Sequence, residues 1–122
     1  MEATAKRVLL VGENRDLVAM TGRLLRRGGY RTDLAVGLEE AREALQKCTQ
    51  QMIVMDCSLP DGDAMAVCRA LRQKQIPVKI LLVSSDPADE VKAFEAGADD
   101  FVKKPYHVEV LLARMNRLSR CL

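Results

Sequence analysis

The stretch VLLV, residues 8–11, is apolar at every position, and the same is true of MIVM at 52–55 and ILLV at 80–83. A strand with one face in water alternates apolar and polar side chains, so these runs do not fit a half-exposed sheet. They fit strands that are covered on both faces, as in a parallel sheet between two layers of helices. The sequence therefore predicts an α/β protein.

The segments between these runs have the spacing of helices, because apolar residues recur every three or four positions. The predicted strands are residues 6–11, 30–36, 52–55, 78–83 and 100–102, and the predicted helices are residues 16–27, 38–47, 63–74, 86–96 and 108–119. These units, joined by right-handed crossovers, predict one doubly wound sheet of five parallel strands with five helices.

The composition is that of an ordinary globular domain, with 48% hydrophobic and 30% charged residues in a chain of 122. The net charge is +2 and the two signs are mixed along the chain, so no block predicts a nucleic-acid-binding arm. No apolar run approaches the ~18–20 residues of a membrane span, and we expect no membrane contact. The cysteines show no CxxC spacing and are expected to be free thiols in the cytoplasm: Cys48, Cys57, Cys68 and Cys121.

Polar side chains follow four of the five predicted strands at the point where each strand ends. Glu13 follows the first strand, Asp56 the third, Ser84 the fourth and Lys104 the fifth. Because the carboxyl ends of parallel strands share one rim of the sheet, these four side chains are expected to converge there.

The chemistry of this set favours phosphoryl transfer to a carboxylate. Two carboxylates at neighbouring strand ends repel each other unless a cation lies between them, and oxygen ligands of this kind suit Mg²⁺. Lys104 can pair with Asp56 and then bind an arriving phosphoryl group, while Ser84 can donate to a phosphate oxygen. The single histidine, His107, leaves no Ser-His or Cys-His pair, so Asp56 is the expected nucleophile.

Three stretches resemble the receiver domain of two-component response regulators, and the resemblance extends over essentially the whole chain. They are IVMDCSLPDGDA at 53–64, LLVSS at 81–85 and EAGADDFVKKPY at 95–106. The resemblance implies a flavodoxin-like sheet of strand order 2-1-3-4-5. EAGADDFVKKPY, with the LLARM that follows at 111–115, is most similar to the branch whose receivers precede a winged-helix DNA-binding domain.

The resemblance also implies residue roles at the rim. Asp56 is the phospho-acceptor, Lys104 binds the phosphoryl group, and the Lys104–Pro105 peptide bond is cis. Mg²⁺ is held by Glu13, Asp56 and the backbone carbonyl of Ser58. The phosphoryl group comes from a sensor histidine kinase, and the domain is no enzyme beyond its own phosphoryl transfer and dephosphorylation.

The resemblance implies a switch from Ser84 and Phe101 to the face formed by helix 4, strand 5 and helix 5. That face is expected to form a homodimer on activation, with candidate salt-bridge residues Lys92, Asp99, Asp100, Arg114 and Arg117. The branch normally adds a base in helix 4 and an acid in helix 5, where this chain has Glu90 and Val110. One bridge of the family pattern is therefore missing.

The first strand departs from the family pattern, because Gly12-Glu13 stands where two adjacent acids are usual. The stretch is no phosphate loop, since GxGxxG would require glycines at Asn14 and Leu17. It is interpreted as an acidic site that has lost one acid. If Glu13 keeps the direct role, the loss weakens metal binding by roughly 10–100-fold.

Alternative functions remain open from the residues alone. One is a degenerate receiver that acts as a phosphorylation-independent dimerisation or interaction module, for which Gly12 is the argument. Another is a small enzyme on the same scaffold, although no aromatic wall for a flavin is present. Residues 1–122 are expected to be the receiver domain, with no output domain in this chain and with any DNA contact made by an output domain further along a longer regulator.

Two neighbours of the rim have simpler interpretations. Ser85 is expected to cap the helix that follows it. Cys57 is expected to fill apolar space beside Asp56.

Overall fold

The computed structural model describes residues 6–120 and has a single five-stranded parallel sheet at its centre. Its strands are β1 (Arg7–Gly12), β2 (Arg31–Val36), β3 (Met52–Asp56), β6 (Lys79–Ser84) and β7 (Asp100–Lys103). Two short strands, β4 (Ser58–Leu59) and β5 (Gly62–Asp63), pair antiparallel in the loop after β3. The helices are α1 (Arg15–Arg27), α2 (Gly37–Lys47), α3 (Ala64–Gln73), α4 (Asp89–Ala96) and α5 (Val108–Ser119).

The sheet has the order β2-β1-β3-β6-β7, which is 2-1-3-4-5 when only its own five strands are counted. The predicted doubly wound, flavodoxin-like fold with five helices is therefore confirmed. The order changes direction at β1, which lies between β2 and β3. Loops after β1 and β3 diverge from this point, and they leave a crevice at the carboxyl rim.

The sheet side chains alternate between two core layers, which explains why the runs at 8–11, 52–55 and 80–83 are apolar at every position. Leu9 and Val11 face a layer that includes residues of α2, α3 and α4. Val8 and Leu10 face a layer that includes residues of α1 and α5. In β1, β3 and β6 nearly every residue is thus covered by one layer of helices or the other, whereas most of β2 and the end of β7 are partly or fully exposed.

Two of the helices begin at a side-chain cap, and the start of another differs from the prediction. Asn14 caps α1 by accepting from the Leu17 N–H at 3.1 Å, and Asp63 caps α3 by accepting from the Met65 N–H at 2.9 Å. Helix α4 begins at Asp89, three residues later than predicted. The Asp86 carboxylate accepts the Ala88 N–H at 2.9 Å, and this holds residues 86–88 in a separate turn.

The loop after β3 is fixed to the start of α2. The Asp61 carboxylate accepts from the N–H groups of Leu38 at 2.7 Å and Glu39 at 3.1 Å, and these bonds lower the pKa of Asp61. Gly37 has a φ of +82°, and a Cβ built there would lie 2.8 Å from Asp61 Oδ1. A glycine at this position therefore permits the close approach of loop and helix.

Within residues 6–120, no helix is long and apolar enough to cross a membrane.

Candidate functional site

The carboxyl rim of the sheet brings the predicted acceptor and lysine into direct contact. Asp56 ends β3 and is only 8% exposed. Lys104 follows β7, where its N–H donates to the Ser84 carbonyl at 2.8 Å, and the Lys104–Pro105 peptide bond is cis, as expected. The Lys104 ammonium donates to Asp56 Oδ2 and forms a salt bridge with it. An ion pair in this position holds the carboxylate at the rim and neutralises its charge.

The second Asp56 oxygen is also engaged. Asp56 Oδ1 accepts from the Ser58 N–H at 3.2 Å, so the loop that begins at β4 closes back onto the acceptor. The two oxygens of Asp56 therefore differ in their partners: one faces a lysine ammonium and the other a backbone amide.

A groove of about 620 Å³ lies beside this pair and carries Glu13 on its wall. Its polar end includes Glu13, Asp56, Ser85 and Lys104, and the rest is lined mainly by apolar side chains of α1 and the segment after β7. Glu13 is exposed, in contrast to Asp56. The predicted convergence of these two carboxylates on one cavity is thus present.

A side chain of α1 occupies the space beside Gly12, where the family pattern has an acid. Gly12 is buried, and a Cβ built on it would lie 2.6 Å from Val18 Cγ2. An aspartate at position 12 therefore requires Val18 to move. Sequence reasoning detected the lost acid but not the valine that occupies its space.

The residues present suit a magnesium ion in a reduced form of the family site. Mg²⁺ binds through one or two carboxylates and retains several waters, and Glu13 and Asp56 are two such carboxylates on one groove. Across the described residues, no group of three or more His, Cys, Asp or Glu side chains is arranged to hold a metal. A magnesium ion here would thus have two carboxylate side chains of the groove as candidate ligands, with water in its other positions.

Ser84 lies at the rim, but its hydroxyl is engaged with α4. It is buried at the end of β6, and its Oγ donates to Asp89 Oδ2 at 2.6 Å. The same oxygen accepts from the Asp86 N–H at 3.0 Å. The structure therefore does not pair Ser84 with Asp56.

The expectation that Ser85 caps α4 is wrong. Ala88 occupies the cap position, which has no side-chain hydrogen bond, and Ser85 is exposed on the groove wall instead. The turn formed through Asp86 displaces the helix start beyond the reach of Ser85.

Phe101 and Cys57 both face apolar surroundings. Phe101 is 5% exposed and belongs to the core layer that includes residues of α3 and α4. Cys57 packs against the same layer, as expected for a filler. Burial, together with Asp89, Asp56 and Asp63, raises the pKa of the Cys57 thiol to about 12. This thiol remains protonated at neutral pH.

The residues predicted for the dimer face form bonds within the chain. Asp99 accepts from Arg72 Nη2 at 2.7 Å and from the Ile80 N–H at 2.8 Å, so it is directed towards α3 and β6. Asp100 is buried and accepts from Arg114 at 3.1 Å and Arg117 at 2.8 Å. These acids are engaged within the chain.

The fifth predicted residue, Lys92, is exposed on α4, a helix whose exposed apolar side chains sequence reasoning missed. Val91 is 65% exposed, Phe94 46% and Val110 43%. Val91 and Phe94 are three residues apart and share one side of α4, whereas the buried positions of that helix are Ala93 and Ala96. The sequence could have indicated this exposure, because Val91 and Phe94 lie off the stripe of buried residues on α4.

The sequence matches the family described as response regulator receiver domain over residues 8–116. The chain belongs to this family. A relative in Mycobacterium tuberculosis, the transcriptional regulatory protein PrrA, is 36% identical over 119 residues, which is 96% of this chain and 51% of that protein. The transcriptional regulatory protein GltR of Pseudomonas aeruginosa is 33% identical over 124 residues, covering 98% of this chain and 51% of GltR.

The receiver domain also resembles solved structures. The BeF3-activated DrrB receiver domain superposes with a TM-score of 0.82 at 25% identity, covering 95% of this chain and 98% of that chain. A response regulator receiver domain from Francisella gives a TM-score of 0.87 at 21% identity, covering 94% and 97%, and supports the fold. The chain spans about half the length of the two transcriptional regulators it matches.

Proposed function

We propose that this receiver domain accepts a phosphoryl group on Asp56 from a sensor histidine kinase. The observation that carries the proposal is the contact between the Lys104 ammonium and Asp56 Oδ2 at the edge of a groove that also holds Glu13. A carboxylate held in this way is oriented, and it lines the groove through which a donor would approach. The similarity to transcriptional regulators and to a receiver activated by beryllofluoride supports the same assignment.

In the transfer step, an Asp56 carboxylate oxygen attacks phosphorus and forms the aspartyl phosphate. The bond from phosphorus to the donor breaks, which is a P–N bond for phosphohistidine or a P–O bond for acetyl phosphate, and the donor leaves with the electron pair. Lys104 binds an oxygen of the transferred group and offsets its developing charge. Mg²⁺, held by Glu13, Asp56 and the Ser58 carbonyl, would supply further charge neutralisation.

The product would act on the distant face through Ser84 and Phe101. A hydroxyl at the end of β6 that turns towards the phosphate leaves space beside the core aromatic, and the two arrangements bias α4, β7 and α5. The exposed apolar side chains on α4 and α5 support a dimer on this face. Asp100 pairs with Arg114 and Arg117 within the chain, Lys92 is exposed on α4, and Asp99 is bonded to Arg72.

The output is proposed to be transcription control. The relatives are described as transcriptional regulatory proteins and are about twice as long as this chain. A winged-helix DNA-binding domain elsewhere in a longer regulator would make the DNA contact, and the receiver itself would not. The proposal includes a cytoplasmic location, in keeping with the free thiols of Cys48, Cys57 and Cys68.

The test is phosphorylation of the isolated protein with acetyl phosphate and Mg²⁺, followed by intact-mass measurement. The expected result is the mass gain of one phosphoryl group in the wild type and none in Asp56→Asn, which preserves the shape of the side chain but removes the nucleophilic carboxylate. An unmodified wild type at millimolar Mg²⁺ would contradict the proposal.

A second candidate function is favoured by one observation. Val18 fills the space of the missing acid at Gly12, which weakens the metal site and supports a degenerate receiver that dimerises without phosphorylation. For such a module, sedimentation gives the same dimer fraction with and without acetyl phosphate. A dimer fraction that rises with acetyl phosphate and stays constant in Asp56→Asn excludes it.

A further inference from the structure

The hydroxyl of Ser84 is shared between the end of β6 and the start of α4. Its Oγ donates to Asp89 Oδ2 at 2.6 Å and accepts from the Asp86 N–H at 3.0 Å. Asp89 is the first residue of α4, and within residues 6–120 its side chain is the only one that forms a hydrogen bond with Ser84. The bond thus joins the sheet rim to the helix that carries Val91 and Phe94.

The geometry of this bond marks it as strong. A distance of 2.6 Å lies within the 2.5–2.7 Å range of a hydroxyl that donates to a carboxylate. Ser84 is 5% exposed, so little water competes for its proton. Hydrogen bonds to charged groups are stronger than neutral ones, and more so away from water.

A hydroxyl has one proton to donate. While Ser84 donates to Asp89, it cannot donate to a phosphoryl oxygen on Asp56. The carboxylate of Asp89 and a phosphoryl group on Asp56 are therefore alternative acceptors for the same proton. Asp89 is also close enough to the acceptor strand for its charge to raise the pKa of Cys57, the residue after Asp56.

We propose that Asp89 is a positioning residue that holds the Ser84 hydroxyl on α4 and competes with the phosphoryl group for it. The inference rests on the proposed function and adds to it a named residue that opposes activation. The strength of the Ser84–Asp89 bond sets part of the free energy that phosphorylation must overcome to move Ser84. Breaking the bond also detaches the first turn of α4 from the rim, which links the site to the exposed apolar side chains of that helix.

The experiment measures the affinity for beryllofluoride at saturating Mg²⁺ by ¹⁹F NMR or calorimetry. Asp89→Ala removes the competing acceptor, and we expect it to bind the phosphoryl analogue about tenfold more tightly than the wild type. Asp89→Asn keeps a neutral oxygen for Ser84 and is expected to give an intermediate affinity. Urea unfolding of each variant verifies that it is folded under the conditions of the titration.

The matched control is Glu90→Ala. Glu90 is the next residue of α4, lies in the same first turn and is exposed, so its removal changes the charge of the helix start equally. We expect its affinity to equal that of the wild type. An equal gain in Glu90→Ala and Asp89→Ala would mean that general charge, and not the bond to Ser84, is responsible.

A double-mutant cycle tests whether the effect passes through Ser84. In a Ser84→Ala background, Asp89→Ala is expected to have no further effect, because the hydroxyl it restrains is absent. A purely structural role of Asp89 would persist in that background and would overturn the inference.

The two proposals fail in different ways. A wild type that does not bind beryllofluoride at saturating Mg²⁺ contradicts the proposed function, and this inference falls with it. A wild type that binds, with Asp89→Ala binding no more tightly, overturns the inference alone.

Discussion

The two sides of the rim groove differ in how completely they are built. On the acceptor side, Asp56 has a lysine on one oxygen and the Ser58 amide on the other. On the side where we propose that the metal binds, called the metal side here, Glu13 is exposed, and Gly12 is packed against the Val18 side chain. Both sides lie on the same cavity, so the difference arises from side chains and not from the backbone fold.

The difference indicates that phosphoryl acceptance and metal affinity can change separately. The groups that orient Asp56 come from β7 and the loop after β3, whereas the space of the missing acid lies between β1 and α1. A receiver with an intact acceptor side and a reduced metal side is expected to require more Mg²⁺ while keeping the same transfer chemistry.

The largest expected effect is on the acceptor side, at Lys104. Lys104→Met keeps the length of the side chain but removes the ammonium that contacts Asp56 Oδ2. Because that charge is aimed at the transferred group, we expect phosphorylation by acetyl phosphate to slow by about 100-fold or more, as measured by intact mass over time.

Lys103→Met is the matched control for this prediction. Lys103 is the adjacent lysine and is exposed at the end of β7. Its loss removes the same charge from the domain without touching the acceptor, and the expected rate is that of the wild type. Equal slowing in both variants would show that the ion pair has no special role.

The second prediction repairs the metal side. Gly12→Asp combined with Val18→Ala supplies the missing acid and the space for it, because Val18 Cγ2 lies 2.6 Å from a Cβ at position 12. We expect calorimetric titration to show Mg²⁺ binding about 10–100-fold tighter than in the wild type. Gly12→Asp alone is expected to gain less, since the valine must first be displaced.

Val18→Ala alone is the control for the repaired variant. It opens the space without adding a carboxylate, so its Mg²⁺ affinity is expected to match the wild type while its stability falls from the lost packing. If the double variant binds Mg²⁺ no better than Val18→Ala, position 12 does not face the metal, and the comparison of the two sides is wrong.

The sequence was sufficient to predict the fold and to predict which residues lie at the carboxyl rim of the sheet. Runs such as VLLV at 8–11 fit a strand of a parallel sheet that is covered by helices on both faces. The carboxyl ends of parallel strands share one edge of the sheet, however the side chains pack. Asp56, Glu13 and Lys104 therefore came together from the order of the elements alone.

Side-chain direction could not be predicted in the same way. The bond from Ser84 to Asp89, the position of Val18 over Gly12 and the turn of Asp99 towards Arg72 each depend on contacts between elements or on a helix start. Propensity and periodicity assign a residue to an element but do not select its partner. The late start of α4 was not predicted for a similar reason. The bond from the Ala88 N–H to the Asp86 carboxylate forms a separate turn, and the helix begins only after it.

The smallest expected effect concerns the loop after β3, whose Ser58 carbonyl is a proposed metal ligand. Asp61 ties this loop to α2 by accepting from the Leu38 and Glu39 N–H groups, and these bonds lower the pKa of its carboxyl from 3.8. Asp61→Ala leaves the first amides of α2 without this acceptor, so we expect the thermal midpoint to fall by a few degrees at pH 7.

The pH dependence of this stabilisation follows from the direction of the pKa shift. A lowered pKa in the folded state means that the stabilisation is present above the unfolded value of 3.8 and is lost as the pH falls through the folded value. The gap in midpoint between the wild type and Asp61→Ala should thus narrow in acid. Glu43→Ala, which removes an exposed acid from the same helix, is expected to leave the midpoint unchanged. If the difference in thermal midpoint stayed constant down to strongly acidic pH, Asp61 would act through packing and not through its charged bonds to α2. The loop after β3 would then be held to the domain by other contacts.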